Sequence, residues 1–220
     1  MSHFVRALTR TWLTVRHQAL GRRYNRLGLE TVAGFSLLVL PQVFNGVLLR
    51  TGVFLAQAIA SAVGPDQLML DMGTGTGLGA LFAARAGYRV TGVDINPEAV
   101  RCARLNALLN HLEDRVEIRE GDLFAPVVGE QFDLVLFNPP FYRGVPRDVL
   151  DHAWRGEAVF ERFAAGLRAA LKPGGRALIL LSTDGDAGML AALTANGFTP
   201  QPVTQRDFGN EVLTVYAMDN

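Results

Sequence analysis

From position 51 onward, apolar residues follow two alternating patterns along the chain. Apolar residues three and four positions apart are typical of amphipathic helices, whereas short apolar runs bounded by glycine, proline or polar residues are typical of buried strands. The first pattern predicts helices over 51–63, 78–86, 97–110, 156–171 and 187–196. The second predicts strands over 68–71, 89–94, 116–119, 132–137, 176–181, 198–206 and 211–217.

The order of these elements predicts the fold class. Strands that alternate with helices indicate a Rossmann-like α/β fold with a mostly parallel seven-stranded sheet. The last two strands follow each other directly, so we expect an antiparallel closing strand at that side of the sheet. A chain of 220 residues suits one such domain, which we place over 43–220, with a short N-terminal extension over 1–42.

The N-terminal extension carries an unusual charge distribution. Its first 29 residues contain six arginines and no acidic residue, which leaves 15 basic against 21 acidic side chains in the rest of the chain. Phe4, Leu8, Trp12 and Val15 recur at helical spacing, so we predict a helical extension that docks on the domain. A basic arm that binds RNA, a ribosomal surface or an acidic partner fits the same residues, and so does a cleaved transit peptide.

The composition of the chain restricts the cellular compartment in which it is expected to act. The single cysteine, Cys102, excludes an internal disulfide and a cysteine-rich zinc site, which favours the reducing cytoplasm. No apolar run approaches the roughly 18 residues that a membrane-spanning helix needs. The scattered arginines also exclude a secretory signal. We predict no metal site, because His152 has no convincing partner ligands.

A glycine-rich segment, Asp71-Met-Gly-Thr-Gly-Thr-Gly77, joins the first strand of the α/β pattern to the next helix. Glycines at such a turn let the backbone approach a ligand, and the following helix N-terminus offers free N–H groups. This signal fits a dinucleotide as well as S-adenosylmethionine.

Two carboxylates end the next two strands. Asp94 lies about twenty residues after the glycine loop, where a carboxylate can accept hydrogen bonds from ribose hydroxyls. Asp122 is placed to accept a hydrogen bond from an adenine amino group, while Leu123 packs on the ring. Capping of the helix at Pro97 and turn formation after the strand are the structural alternatives for Asp94 and Asp122.

The tetrapeptide Asn138-Pro-Pro-Phe141 directly follows an apolar strand and is the most informative motif. Neither proline has an N–H group, so the turn offers carbonyl acceptors without competing donors, and Asn138 adds a side-chain oxygen. Phe141 supplies a flat apolar face. Two acceptors and one aromatic face suit a planar NH2 group, and they predict a nitrogen methyltransferase.

These motifs together resemble class I S-adenosylmethionine-dependent methyltransferases with an Asn-Pro-Pro-Phe/Tyr signature. Within that class, the chain is similar to the HemK-like enzymes that methylate glutamine amides in release factors, and especially to their short branch. The resemblance covers 43–217 and includes the helix from Thr51 and the ending 205–215. It implies a catalytic turn and a set of cofactor-binding residues. The turn consists of Asn138, Pro139, Pro140 and Phe141, and the cofactor set of Thr51, Asp71, Gly73, Thr74, Gly75, Gly77, Asp94, Ile95, Asp122, Leu123 and Asn138.

The methyl acceptor stays open at this point. A protein glutamine amide, as in a release factor, is the first hypothesis, and an exocyclic amine of adenine or guanine in RNA is the second. A small-metabolite amine is the third. The segment 45–50 and the basic N-terminus depart from the HemK-related branch, and some members of that branch use a small activating partner. The arginines 143, 147 and 155 near the site loop favour a polyanion, and Asp148, Asp151, His152 and Trp154 lie in the same loop. An NAD-dependent oxidoreductase would leave the Asn-Pro-Pro-Phe turn unexplained, and a noncatalytic cofactor-binding module would leave Asn138 without a role.

Overall fold

In a computed structural model of the chain, eleven strands and five α-helices are defined within the described residues, 26–47, 50–59, 67–148, 150–183, 185, 188–209 and 211–220. The strands are β1 (Gly28–Val32), β2 (Phe35–Val39), β3 (Leu68–Met72), β4 (Arg89–Asp94), β5 (Val116–Glu120), β6 (Phe132–Phe137), β7 (Tyr142–Arg143), β8 (Arg155–Gly156), β9 (Leu171–Ser182), β10 (Gln201–Asp207) and β11 (Val212–Asp219). The helices are α1 (Thr51–Ala58), α2 (Leu78–Ala86), α3 (Pro97–Leu109), α4 (Val159–Ala170) and α5 (Gly188–Ala195).

Seven of the strands form one sheet in the order β10-β11-β9-β6-β3-β4-β5. The pairs among β9, β6, β3, β4 and β5 are parallel, whereas β11 runs antiparallel to both β9 and β10. The predicted α/β fold with a mostly parallel seven-stranded sheet and an antiparallel closing strand is therefore confirmed. Within the described part of the chain, no helix is both long enough and apolar enough to cross a membrane.

The strands are continuous apolar runs in the sequence because both faces of the sheet are buried in hydrophobic cores. Successive side chains of a strand point to opposite faces. Leu134 and Leu136 of β6 accordingly join the core under α1, α2 and α3, while Val135 and Phe137 join the core under α4 and α5. The sheet is thus a central layer whose carboxyl-terminal edge stays available to carry a site.

Two predicted boundaries differ from the structure near the site loop and the fifth parallel strand. The helix predicted to start at residue 156 starts at Val159, because Arg155 and Gly156 pair with Tyr142 and Arg143 as strands β8 and β7. The strand predicted to begin at residue 176 begins at Leu171, because the chain over 172–175 stays beside β6 as a bulge between two paired stretches. The predicted helix over 51–63 is observed as α1, and residues 60–63 of that prediction lie outside the described residues.

The described part of the N-terminal extension is a β-hairpin, so the prediction of a helix is wrong for residues 28–39. Strands β1 and β2 pair antiparallel around a two-residue turn, Ala33-Gly34, in which both residues have positive φ (48° and 85°). Such turns usually carry asparagine or aspartate before glycine, which is why alanine gave only a weak signal. The Arg85 side chain donates to the Ala33 carbonyl at 2.6 Å and lies over the Phe35 ring. The helical prediction for residues 4–15 falls outside the described residues.

Candidate functional site

A cleft of about 310 Å³ opens at the carboxyl ends of β3, β4, β5 and β6. Ligands of open parallel sheets bind at this edge, because loops there diverge and helix N-termini converge. Eight of the predicted site residues line the cleft, namely Gly73, Gly75, Asp94, Ile95, Asp122, Leu123, Asn138 and Pro140. The parallel sheet therefore brings together motifs that are up to 67 positions apart in the chain.

The glycine loop forms one wall of the cleft. Gly73, Gly75 and Gly77 have φ values of 65°, 56° and 81°, in the left-handed region that side chains other than glycine rarely adopt. Gly73 and Gly75 face the cleft, whereas Gly77 lies against α3, where a Cβ atom would come within 3.1 Å of the Ala103 Cβ. Two glycines thus leave room for a ligand, and the third allows close packing between helices.

Asp71 and Thr74 hold the glycine loop from behind and do not line the cleft. One oxygen of the buried Asp71 carboxylate accepts from the Thr74 hydroxyl at 2.7 Å and from the Ala80 N–H at 3.0 Å. Burial raises the pKa of Asp71 to about 6, although these two hydrogen bonds oppose the increase. The structure therefore gives Asp71 a positioning role, through Thr74 and the start of α2.

Asp94 joins the glycine loop to the following turn. Its two oxygens accept from the backbone N–H groups of Gly75 and Asn96, each at 2.9 Å. Burial raises the pKa of Asp94, and the two hydrogen bonds and the charge of His152 partly offset that effect. Ile95, 43% exposed, follows it in the cleft wall. Asn96 caps α3 through Glu98 N–H, so the capping alternative considered for Asp94 belongs to Asn96.

Asp122 forms a two-bond ion pair that the sequence did not reveal. Its carboxylate oxygens accept from both Nη atoms of Arg162 at 2.7 and 2.8 Å, and this bonding raises the pKa of Arg162. Arg162 lies in α4, forty residues away, and also lines the cleft. Leu123 has a φ of 47°, which turns the chain beside the cleft after Gly121.

Asn138 carries an unpaired acceptor at the end of β6. Its Nδ2 donates to Thr51 Oγ1 over 3.4 Å, a long hydrogen bond to the first residue of α1. Its Oδ1 is buried and has no hydrogen-bond partner among the described residues. Most buried polar atoms are paired, so an orphaned acceptor beside a cleft indicates a place for a ligand's donor.

The prolines and the aromatic residue of the tetrapeptide occupy different environments. Pro139 is buried, Pro140 lines the cleft, and Phe141 does not line it. Phe141 instead packs beside the core under α1, and its backbone lies next to Gly185. Phe44 and Phe137 are the phenylalanines of the cleft wall, and sequence reasoning missed Phe44 because nothing near it in the chain marks a site.

The loop after the tetrapeptide closes the other side of the cleft. His152 lines the cleft, and Trp154 meets the Phe44 ring edge-on with centroids 5.0 Å apart. Asp148 and Asp151 accept from backbone N–H groups of their own loop, at 2.9 and 3.0 Å, and therefore shape the loop. The side chains of the three arginines singled out from the sequence differ in setting. Arg143 pairs with Glu161 and Arg155 with Asp151, while Arg147 is exposed.

Comparison with known proteins identifies the family of this chain. The family model for the methyltransferase small domain matches residues 35–194, which is more than half of the chain. The chain belongs to the methyltransferase small domain family. It is 32% identical over 161 residues to a Methanocaldococcus jannaschii protein named as an N5-glutamine methyltransferase, and the match covers 69% of this chain and 78% of that one.

Other similar proteins modify RNA. A Porphyromonas gingivalis tRNA1(Val) adenine N6-methyltransferase is 41% identical over 106 residues, which are 45% of this chain and 40% of the relative. The solved structure of a Thermus thermophilus 16S rRNA N2-G methyltransferase with S-adenosylmethionine and guanosine superposes with a TM-score of 0.67 at 22% identity, covering 89% of this chain and 50% of that one. The chain thus spans half or less of these two proteins, and the structural likeness establishes the fold.

The predicted class I, HemK-like methyltransferase and its cofactor class are confirmed by these findings. The described residues also fit S-adenosylmethionine. Gly73 and Gly75 put no side chain into the cleft, Asp94 and Asp122 stand at successive strand ends, and Ile95 and Leu123 offer apolar surface. A volume of about 310 Å³ lies in the range of small-molecule sites.

Proposed function

We propose that this methyltransferase acts on the nitrogen of a planar NH2 group. The observation that carries the proposal is the buried Oδ1 of Asn138 beside the cleft, which has no hydrogen-bond partner in the part of the chain that the structure describes. A buried acceptor without a donor costs free energy, and a substrate N–H would remove that cost. Pro139 and Pro140 have no N–H groups, so the turn offers no donor of its own to this acceptor.

The chemistry follows from the two acceptors of the turn. S-adenosylmethionine, when bound, supplies an electrophilic methyl group on a sulfonium. Asn138 Oδ1 accepts one N–H of the substrate, and the resemblance to the Asn-Pro-Pro-Phe/Tyr enzymes assigns the second N–H to the Pro139 carbonyl. Together these bonds raise the electron density on a nitrogen whose lone pair is delocalised, and they orient that lone pair. With the cofactor bound, the nitrogen held in this way would take the methyl group as the methyl–sulfur bond breaks, and it would then give its extra proton to water. Positioning and electrostatics thus replace a general base.

The first acceptor we propose is the side-chain amide of a protein glutamine, as in a release factor. The relative named as a glutamine methyltransferase aligns over 69% of this chain, a larger share than the tRNA methyltransferase covers. A glutamine amide has the planar NH2 group that the two acceptors of the turn require. The buried Cys102 thiol, the one cysteine of the chain, agrees with the reducing cytoplasm where translation factors act.

A second acceptor, a nucleobase amine in RNA, is supported by a separate observation. The guanidinium groups of Arg50 and Arg206 both lie over the ring of Phe208, at 5.6 and 5.9 Å from its centroid. Neither side chain forms an ion pair with a described carboxylate, and both are exposed. Arg50 directly precedes Thr51, the partner of Asn138, and Arg206 shares the Phe208 ring with Arg50, so the two positive charges belong to one surface that adjoins α1. Phosphates next to a modified base would be attracted to such a surface.

Labelled cofactor distinguishes the two acceptors. A cell extract is separated into RNA and protein fractions, and each is incubated with the full chain and methyl-labelled S-adenosylmethionine. Label at a glutamine amide of a release factor supports the first acceptor, and label in RNA alone overturns it. Label on a hydroxyl or carbon atom in both fractions would overturn nitrogen transfer altogether.

Arginine variants provide an independent check. The double variant Arg50→Gln and Arg206→Gln is expected to lose RNA methylation at least tenfold at about 150 mM salt, and to leave glutamine methylation within about twofold. Arg168→Gln is the matched control, since Arg168 also stacks on a phenylalanine but lies at the end of α4 away from the cleft. Equal losses in the control would show a general effect of arginine removal.

A further inference from the structure

Two asparagine side chains at the C-terminal end of helix α3 form hydrogen bonds with the backbone of strand β2. Asn106 Oδ1 accepts from the Leu38 N–H at 2.7 Å, and its Nδ2 donates to the Leu38 carbonyl at 2.8 Å. Asn110 forms the same pair of bonds with Ser36, at 3.1 and 2.8 Å. Four helical residues rise about 6 Å, and two strand residues rise about 6.8 Å. Asparagines four positions apart therefore match alternate residues of β2, and their amide groups bond to its backbone as a neighbouring strand would.

Asn106 makes two contacts that Asn110 does not, and one of them is a long hydrogen bond from its Nδ2 to Cys102 Sγ at 3.7 Å. Its Nδ2 also donates to the carbonyl of Thr76 at 2.8 Å, inside the glycine loop between Gly75 and Gly77. Asn106 is 0% exposed and Thr76 is 3% exposed, so water cannot replace this hydrogen bond. One amide group therefore joins the hairpin backbone to the loop that forms the cofactor side of the cleft.

The chain after the hairpin strengthens this connection. The carbonyl of Gln42 accepts from Asn96 Nδ2 at 2.8 Å, and the N–H of Asn96 donates to Asp94. Phe44 then enters the cleft wall, with its carbonyl close to Gly75. A shift of β2 would therefore displace both the glycine loop and the aromatic wall of the cleft.

We propose that Asn106 is a positioning residue that couples the β1–β2 hairpin to the glycine loop. The position of the hairpin against α3 then determines the affinity for S-adenosylmethionine. The inference rests on the proposed function, because it takes the glycine loop as the cofactor wall. Coupling between two sites is reciprocal, so cofactor binding must also stabilise the hairpin.

Matched serine variants of the full chain test the coupling. Asn106→Ser and Asn110→Ser each remove the pair of side-chain hydrogen bonds to one β2 residue, and both are expected to lower the melting temperature. Only Asn106→Ser also frees the Thr76 carbonyl, and it is expected to weaken cofactor binding about tenfold in calorimetry, with Asn110→Ser within about twofold of the wild type. Turnover at saturating cofactor is expected to change less than twofold in both. Equal affinities in the two variants would overturn the coupling.

Amide hydrogen exchange on the wild type tests the reciprocal effect without relying on a variant that could fail to fold. Saturating S-adenosylmethionine is expected to slow exchange at Leu38 more than at residues of the distant β10–β11 hairpin. Equal slowing at both places, in a wild type that binds the cofactor, overturns the inference and leaves the proposed function intact. A wild type that binds no S-adenosylmethionine would instead overturn the proposed function on which the inference rests.

Discussion

Replacement of Asn138 by alanine is expected to lower activity and raise stability at the same time. The Oδ1 atom is buried and meets no hydrogen-bond partner among the residues that the structure describes, and such an atom costs roughly 1–3 kcal/mol. The side chain's compensating contact is one 3.4 Å hydrogen bond to Thr51, which is too long to contribute more than about 0.5 kcal/mol. Asn138→Ala should therefore increase the free energy of unfolding by about 1 kcal/mol, or about 2–4 °C in melting temperature for a domain of this size.

The same change should nearly abolish methyl transfer. Loss of one preorganised hydrogen-bonding partner from a transition state costs about 100- to 1000-fold in turnover in enzymes where it has been removed. Cofactor affinity should stay within about threefold of the wild type, because the interaction lost is with the acceptor nitrogen. The opposite signs for stability and turnover are the expected signature of a group kept for function at the expense of stability.

Three measurements examine this prediction. Urea unfolding gives the free energy of unfolding, calorimetry gives the affinity for S-adenosylmethionine, and transfer of labelled methyl groups to the acceptor fraction gives turnover. Thr51→Val is the matched control, since it leaves Oδ1 in place and removes only the partner of Nδ2. We expect about a tenfold loss of turnover from that control, because the amide then loses one constraint on its orientation. Unchanged turnover in Asn138→Ala, or destabilisation by more than about 1 kcal/mol, would contradict the proposed role of Asn138.

Three further predictions concern the walls of the cleft. Asp94→Ala should weaken cofactor binding at least tenfold, because it removes the acceptor of the Gly75 N–H, and an unchanged affinity by calorimetry would contradict this. The pKa of Asp71 is raised to about 6 in the folded protein from an ordinary value of 3.8, so its protonation stabilises the fold below about pH 4 and this contribution disappears as pH rises through about 6. The unfolding free energy of the wild type relative to Asp71→Asn should accordingly fall by about 2 kcal/mol between pH 4 and pH 7, and a difference independent of pH would exclude that assignment. Phe44→Ala should weaken cofactor binding roughly tenfold, because the aromatic wall is lost, whereas Phe44→Tyr should retain it in the same titration.

Local sequence features predict the fold and the central motifs well. Apolar runs locate all seven strands of the sheet, and the bounds of α2, β4 and β6 agree with the sequence prediction. The hairpin at 28–39 was missed because its turn uses Ala33, a residue that gives little warning of a positive φ. The start of β9 was missed because Pro173 and two glycines indicate a loop, although the sheet holds them as a bulge.

The site residues also divide into those that the sequence predicts and those that it does not. Gly75, Asp94 and Asn138 were found from the sequence because each follows a predicted strand, and parallel strands end at one edge. Their proposed roles in binding and transfer stay predictions until the variants are measured. Arg162 and Phe44 could not be found, because neither lies in a motif and each reaches the cleft from a distant element.

The amino-acid sequence is sufficient to predict the parallel sheet, the glycine loop, the carboxylates at the strand ends and an amide oxygen followed by two prolines. Each of these follows from local chemistry, such as apolar periodicity, left-handed glycines and prolines without N–H groups. The packing of distant elements places Phe44 rather than Phe141 in the cleft wall, and it brings Asn106 between the hairpin and the glycine loop. Those outcomes depend on contacts between residues 30 to 68 positions apart, where packing and the pairing of buried polar groups select one arrangement.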